Sequence, residues 1–524
     1  MLRYNRTILV RSGYVLALGI MLVLFGGRAD ADTAKEHFDK GVQLYKSYKY
    51  DDALEEFKSA RKIAPKDTTI LNWIGWIYLK QQKYEEALEP LEQAVKIKPD
   101  SAEAHLNLGN VYDGLKRNAD AAREFETLSK LQPNSADAFY NLGNVYYKMN
   151  RLKDSITAFR KAAQIDPRDP YIQDGLGYAL QADGNYTEAM TAYDKATRIK
   201  PDAANFWFND GLAAMSAAEK VKALPGAVNK TRASELLEKA RTSLAQAVKL
   251  APNSYQSREI YGEALLEIGK YDEAIAQFEK AAQLDDKQFN PLYNLGLAQE
   301  KLGHMPEAMA AYKHALELQP DSPDALLRLG QAQYRQKQYE DAAKTFTQLT
   351  QAAPNDMAGW FNLSLCQQQK GDTDGQIGTL EEALKHGDPG PKKAMIRRIL
   401  AEYYYKKAAA PPGDEDSLKR ADELYTLSLQ EDPNNPEAFN GLGLIALKRK
   451  KPDDALKFFK QAVAAKPDFA DAYNNLGVAA YARGDIEQAK TYYRKALQID
   501  PNHKLAKSNL DRLEKSPKTP DKPN

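Results

Sequence analysis

The side chains most able to recognise another molecule in this chain are amides, and they recur in register. Asparagine stands at Asn107, Asn141, Asn209, Asn294, Asn362 and Asn475, and three residues on at Asn110 and Asn144. A carboxamide carries two donors and an acceptor, so it can meet either half of a peptide group and hold a main chain with little regard for its sequence. The plainer reading of the same residues is asparagine filling a common slot, capped or solvated.

Groups suited to covalent, acid–base or metal chemistry do not converge. There is no G-x4-G-K-[ST] loop, no H-E-x-x-H and no G-x-S-x-G elbow, and the six histidines are scattered. Gly441-x-Gly443 resembles the start of a nucleotide loop, but Gly443 falls in a glycine slot that recurs along the chain. Acidic pairs such as Glu85-Glu86 sit where a helix is expected to begin, and acids favour that end. The single cysteine, Cys366, can form neither an internal disulfide nor a cysteine-based metal site, and reads as a packing residue. No catalytic residue, metal, cofactor or small-molecule substrate is expected. Lys plus Arg is 73 and Asp plus Glu is 72, a balance that gives no overall pull toward nucleic acid or acidic membranes, though a local patch could still exist.

The elements that must position these amides follow from a 34-residue period. Proline falls at Pro65, Pro99, Pro133, Pro167 and Pro201, then at Pro252, Pro320, Pro354, Pro433, Pro467 and Pro501. Glycine keeps the same phase at Gly41, Gly75, Gly109, Gly143 and Gly177, alanine at Ala53, Ala87 and Ala121, and a large residue at Phe57, Phe125, Phe159 and Tyr193. Within one period the apolar residues show helical spacing twice, first at Phe139, Leu142 and Tyr146 and then at Ile156, Phe159, Ala162 and Ile165. Each period therefore predicts two amphipathic helices. Glycine and alanine are expected to let the two backbones approach, and proline to end the second helix. The Asp or Asn after it (Asp100, Asn134) is expected to cap the next helix. Thirteen units are expected, stacked so that each covers its neighbour's apolar face.

These residues resemble the tetratricopeptide-repeat pattern W-x2-L-G-x2-Y, A-x3-F-x2-A, P. NLGNVYYKMNRLKDSITAFRKAAQIDP (Asn141 to Pro167) and NLGVAAYARGDIEQAKTYYRKALQIDP (Asn475 to Pro501) carry it clearly. The resemblance implies an all-α, right-handed superhelical solenoid of about thirteen hairpins with a C-terminal capping helix. It also implies that proteins or extended peptides bind the concave face lined by the first helices. The asparagines are similar to the ladder in the repeat region of O-GlcNAc transferase, which holds an extended peptide by its backbone. The carboxylate clamp of chaperone-binding repeats is not found; unit seven offers Glu259 and Glu263 where that clamp needs lysine and asparagine.

The pattern divides the chain into units 1–10 over residues 34–386, with an insertion at about 218–235 in unit six. A possible irregular or hinge region, 387–413, includes the first helix of unit eleven. The rest of unit eleven with units twelve and thirteen covers 414–501, followed by a capping helix over 502–515 and a disordered tail over 516–524. In unit six the helices are expected to lengthen or to be joined by a longer loop. Pro90 is expected to kink or shorten its helix. Trp73, Trp76 and Tyr78 read mainly as core, with an exposed anchor as the alternative.

Residues 1–31 differ in kind. Arg3, Arg6 and Arg11 precede an apolar run from Tyr14 to Phe25, and Ala29-Asp30-Ala31 follows. These are the parts of a secretory signal peptide cut after Ala31; a retained inner-membrane anchor over 12–27 is the alternative. Export points to the periplasm of a Gram-negative bacterium. The function expected is a non-catalytic scaffold for a multiprotein envelope machine, for motility, secretion or wall synthesis. The alternatives are a chaperone-like peptide carrier and a non-catalytic subunit of an enzyme complex. No nucleic-acid partner is expected.

Overall fold

Each period does build two helices. The computed structural model describes residues 28–387, 390–410 and 413–515. Among them are 27 α-helices and no strand: thirteen consecutive pairs and a terminal helix, Lys504–Lys515. The expected leader falls almost entirely, and the expected tail wholly, outside the described residues. Two compact bodies are distinguished, Met1–Ile268 and Gly269–Asn524. Within each, a helix packs on the next one in sequence, and first helices of adjacent units also touch, as a nearest-neighbour array requires.

Helix ends follow the local chemistry, with one correction. The second helix of unit two, Tyr84–Ile97, stops at Lys98, whose φ of −128° and ψ of 83° are non-helical. Pro99 imposes this, because a following proline disfavours the helical region. The cap of the next helix is not Asp100 but Ser101, whose hydroxyl accepts from the Ala104 N–H. Ser135, not Asn134, does the same for Ala138. Asp67, Asp169, Ser254, Ser322, Asp356 and Asn435 cap the first helices of other units in this way. All stand two residues after the proline slot, because a cap must reach an N–H two or three residues ahead. Pro170, Pro323 and Pro436 open their helices at the first turn.

The glycine slot works differently from the expectation of backbone approach. A Cβ built on Gly109 would lie 2.6 Å from Cε1 of Phe125, and one on Gly75 would lie 2.3 Å from Cγ of Leu91. On Gly143 and Gly177 it would meet Phe159 at 3.0 Å and Tyr193 at 2.7 Å. In each case the intruder is the large side chain sixteen residues on, from the second helix of the same unit. The missing side chain is therefore room for a ring, and Phe125, Phe159 and Tyr193 are wholly buried in it. Ala87 and Ala121 are also wholly buried.

A polar bolt repeats with the same period. The Tyr112 hydroxyl donates to Glu92 at 2.8 Å while the Arg117 guanidinium lies 4.5 Å from the tyrosine ring. One unit later Tyr146 donates to Glu126 at 2.6 Å under Arg151 at 4.2 Å. Each bolt joins a first helix to the second helix of the unit before it.

The irregular units resolve as follows. Unit six has no long loop: its helices lengthen to Ala204–Lys222 and Ala227–Leu250 and are joined by four residues. Pro90 does not shorten its helix, which at 14 residues equals the second helix of unit one, Tyr50–Ile63. Burial of Pro90, Leu91 and Ala94 on one face holds the helix despite the lost N–H. Glycine-rich unit ten has a short second helix, Thr373–Ala383. In unit eleven the segment 387–413 contains a continuous first helix, Pro391–Ala409, packed on Glu415–Glu431. In the terminal helix Leu510 and Leu513 are buried, whereas Leu505 is exposed.

Gly109→Val should destabilise the protein by about 1–3 kcal/mol, because Phe125 has no free volume to move into. A urea melt followed by circular dichroism reads this, and an unchanged midpoint would contradict the ring-in-slot account.

Candidate functional site

The eight asparagines are brought onto the first helices, but they do not behave alike. Asn107 is buried, and its Nδ2 donates to Asn72 Oδ1 at 2.9 Å. Asn209 donates to Asp174 at 2.8 Å and Asn475 to Asn440 at 2.9 Å. Asn509 of the terminal helix donates to Asn474 at 3.1 Å. Every one of these bonds spans 35 residues, from the fifth position of one first helix to the sixth of the next. The sixth-position amides thus stitch adjacent first helices together. Asn362 instead donates to the Ala358 carbonyl of its own helix at 2.9 Å. Asn294 is half-buried.

Asn72, Asp174, Asn440 and Asn474 stand outside the two slots, sixth and ninth in the unit, where asparagine drew attention in the sequence, and Asn509 lies beyond the last unit. Their signal is present all the same: an amide or carboxylate stands 35 residues before Asn107, Asn209 and Asn475.

Two atoms are left over in unit three. Asn107 Oδ1 and Asn110 Nδ2 are both buried and have no hydrogen-bond partner. One is an acceptor, the other a donor, and they lie three residues apart on one helix, Ala102–Gly114. One period on, Asn141 and Asn144 are half-buried on Ala136–Lys148.

Beside them, His105 is almost fully buried. Its Nδ1 lies 2.6 Å from Glu124 and its Nε2 lies 2.9 Å from the Pro99 carbonyl. Both neighbours only accept, so both ring nitrogens donate, and the imidazolium is the form that fits. The hydrogen bond to Glu124 raises the His105 pKa above the ordinary value, against the opposing effect of burial. The fourth position of other units also reaches back to the proline-slot carbonyl: Gln173 to Pro167, Trp207 to Pro201, Arg258 to Pro252 and Trp360 to Pro354. Five side chains of four chemical types converge on one task, closing a carbonyl at the end of a second helix.

Trp73 is core, stacked on Phe57 at 5.4 Å between ring centres. Trp76 is half-buried and donates to the Tyr45 hydroxyl at 3.0 Å, and Tyr78 packs against two apolar clusters. Cys366 is wholly buried, and burial pushes its thiol up to about 11, far from a reactive thiolate. No helix among the described residues is long and apolar enough to cross a membrane.

Family profiles described as TPR repeat match residues 75–116 and 262–303, and others described as tetratricopeptide repeat match 106–170, 175–235, 300–364, 414–476 and 470–503. The chain belongs to the tetratricopeptide-repeat family. Its fold is accordingly an all-α TPR solenoid. No curated protein matches it. Among solved structures it is similar to YrrB, described as a TPR protein with an unusual peptide-binding site, at 22% identity over 39% of this chain and 97% of that one, with a TM-score of 0.34. MamA is similar at 26% identity over 33% of this chain and 96% of that one, with a TM-score of 0.32. Yeast Tom70 is similar at 16% identity over 93% and 96%, with a TM-score of 0.32.

Two outcomes follow from these TPR units. Asn110→Leu removes an orphaned donor while keeping the branched shape, and should raise stability by about 1 kcal/mol or more in a denaturant titration; a loss would mean that the amide is satisfied in solution. His105 has a folded-state pKa above its unfolded one. Its stabilisation is therefore complete below about pH 6.5 and is lost as pH rises through the raised value. Stability measured across that window should fall in the parent and stay flatter in His105→Gln.

Proposed function

We propose that this TPR protein is a non-catalytic interaction scaffold that holds an extended segment of another protein against its first helices, with units three and four as the grip. The observation that supports this is the unpaired acceptor and donor of Asn107 and Asn110, followed one period later by Asn141 and Asn144. A peptide main chain offers the complementary N–H and C=O at each residue; Asn141 and Asn144, half-buried, are the amides it would meet first, and Asn107 and Asn110 would add theirs only if their helix yields to it. Asn209 and Asn475 join adjacent first helices instead.

The N-terminal segment supports export, with Arg3, Arg6 and Arg11 ahead of the Tyr14–Phe25 run. On that reading the scaffold serves an assembly of the cell envelope.

The test is affinity purification of the tagged protein from cross-linked native envelopes, read by mass spectrometry. A short, reproducible set of envelope proteins is expected. Replacing Asn107, Asn110, Asn141 and Asn144 with alanine should lose most of that set while circular dichroism shows the helices intact. Capture unchanged by the four substitutions would remove the asparagines from the grip. A long, variable list of clients would favour the peptide carrier instead.

A further inference from the structure

The lengthened hairpin of unit six has no counterpart in the other units of its body. Its first helix, Ala204–Lys222, runs to 19 residues where that of unit five, Pro170–Ala182, has 13. Its second, Ala227–Leu250, runs to 24 where that of unit five, Tyr186–Ile199, has 14. At 1.5 Å per residue the extra turns add about 9 Å and about 15 Å. Ala217, Ala218, Ala233 and Leu237 are buried, so the extension is a packed hairpin. Its turn is held by Asn229, which donates to the Pro225 carbonyl at 2.8 Å.

The tip is apolar and uncovered. Leu224 is 54% exposed and Val228 is 80% exposed, with Pro225 also exposed between them. Cations stand directly behind on both helices: Lys220 and Lys222 on one, Lys230 and Arg232 on the other. Lys222 pairs with Glu267 and Lys220 bonds the Gly184 carbonyl, while Lys230 and Arg232 are exposed. The nearest acids in the hairpin, Glu219 and Glu235, lie further from the turn.

We propose that this tip docks onto an anionic lipid surface. The order of groups is that of a bilayer: aliphatic side chains at the extremity, where acyl chains would lie, and cations a turn behind, at the depth of the phosphates. An acidic protein would match the charge alone. A convex end of two helices has no groove to enclose a peptide, and it leaves Leu224 and Val228 without a role. Two aliphatic side chains and a few cations make the attachment reversible and salt-sensitive.

The experiment is co-sedimentation of the full chain with vesicles of phosphatidylcholine alone or of equal parts phosphatidylcholine and phosphatidylglycerol. Binding is expected to the mixed vesicles only, and to weaken as salt rises. The Lys230→Glu/Arg232→Glu variant should bind roughly tenfold or more weakly, and Leu224→Asp/Val228→Asp should lose binding too. All four side chains are exposed, so the melting curves should match the parent's. Absence of binding to the mixed vesicles, or binding that both variants retain, would overturn the assignment. So would binding of a polyglutamate peptide, lost in the charge reversal, without any vesicle binding; that result would give the tip to an acidic protein.

Discussion

Most hairpins close on a large side chain that enters the first helix where a Cβ is missing. Phe125 at Gly109, Phe159 at Gly143 and Tyr193 at Gly177 are separated by sixteen residues in every case. That spacing sets how far the chain must travel before the second helix can lie on the first. Once a ring is seated, the register of the pair is settled, and with it the face each helix turns to the next unit. Glycine is a poor helix former, at roughly 1 kcal/mol below alanine, so its recurrence inside first helices marks a packing demand that outweighs local preference.

The contacts between units are more varied than those within them. Some units use tyrosine, glutamate and arginine, as at Tyr112, Glu92 and Arg117. Some use an amide seam, as at Asn72 and Asn107 or Asn440 and Asn475. The fourth position closes a proline-slot carbonyl with histidine, glutamine, tryptophan or arginine. The common constraint is that backbone carbonyls and inward-facing polar groups must be satisfied, and the repeat geometry offers each unit several side chains that can do so. At Asn107 and Asn110 the seam leaves two buried polar atoms without a bond inside the chain.

The helices, their order and the units they form were legible in the residues alone, because proline, glycine and the apolar spacing act locally and repeat at one period. Helix caps were legible only as a type. Whether Asp100 or Ser101 caps depends on where the chain turns after Pro99, which the list of residues does not state. Pro90 misled for a related reason: its local cost is real, but Leu91 and Ala94 bury the same face and hold the helix.

The candidate site divides along the same line. The sequence by itself determined that asparagines recur on first helices at one period, since that needs only periodicity. Only the tertiary structure decided that Asn209 and Asn475 face a partner 35 residues earlier while Asn110 keeps a donor without one. Bonds across 35 residues depend on how neighbouring first helices are set against each other. That setting is fixed by rings and carbonyls throughout each unit, not by the asparagines themselves.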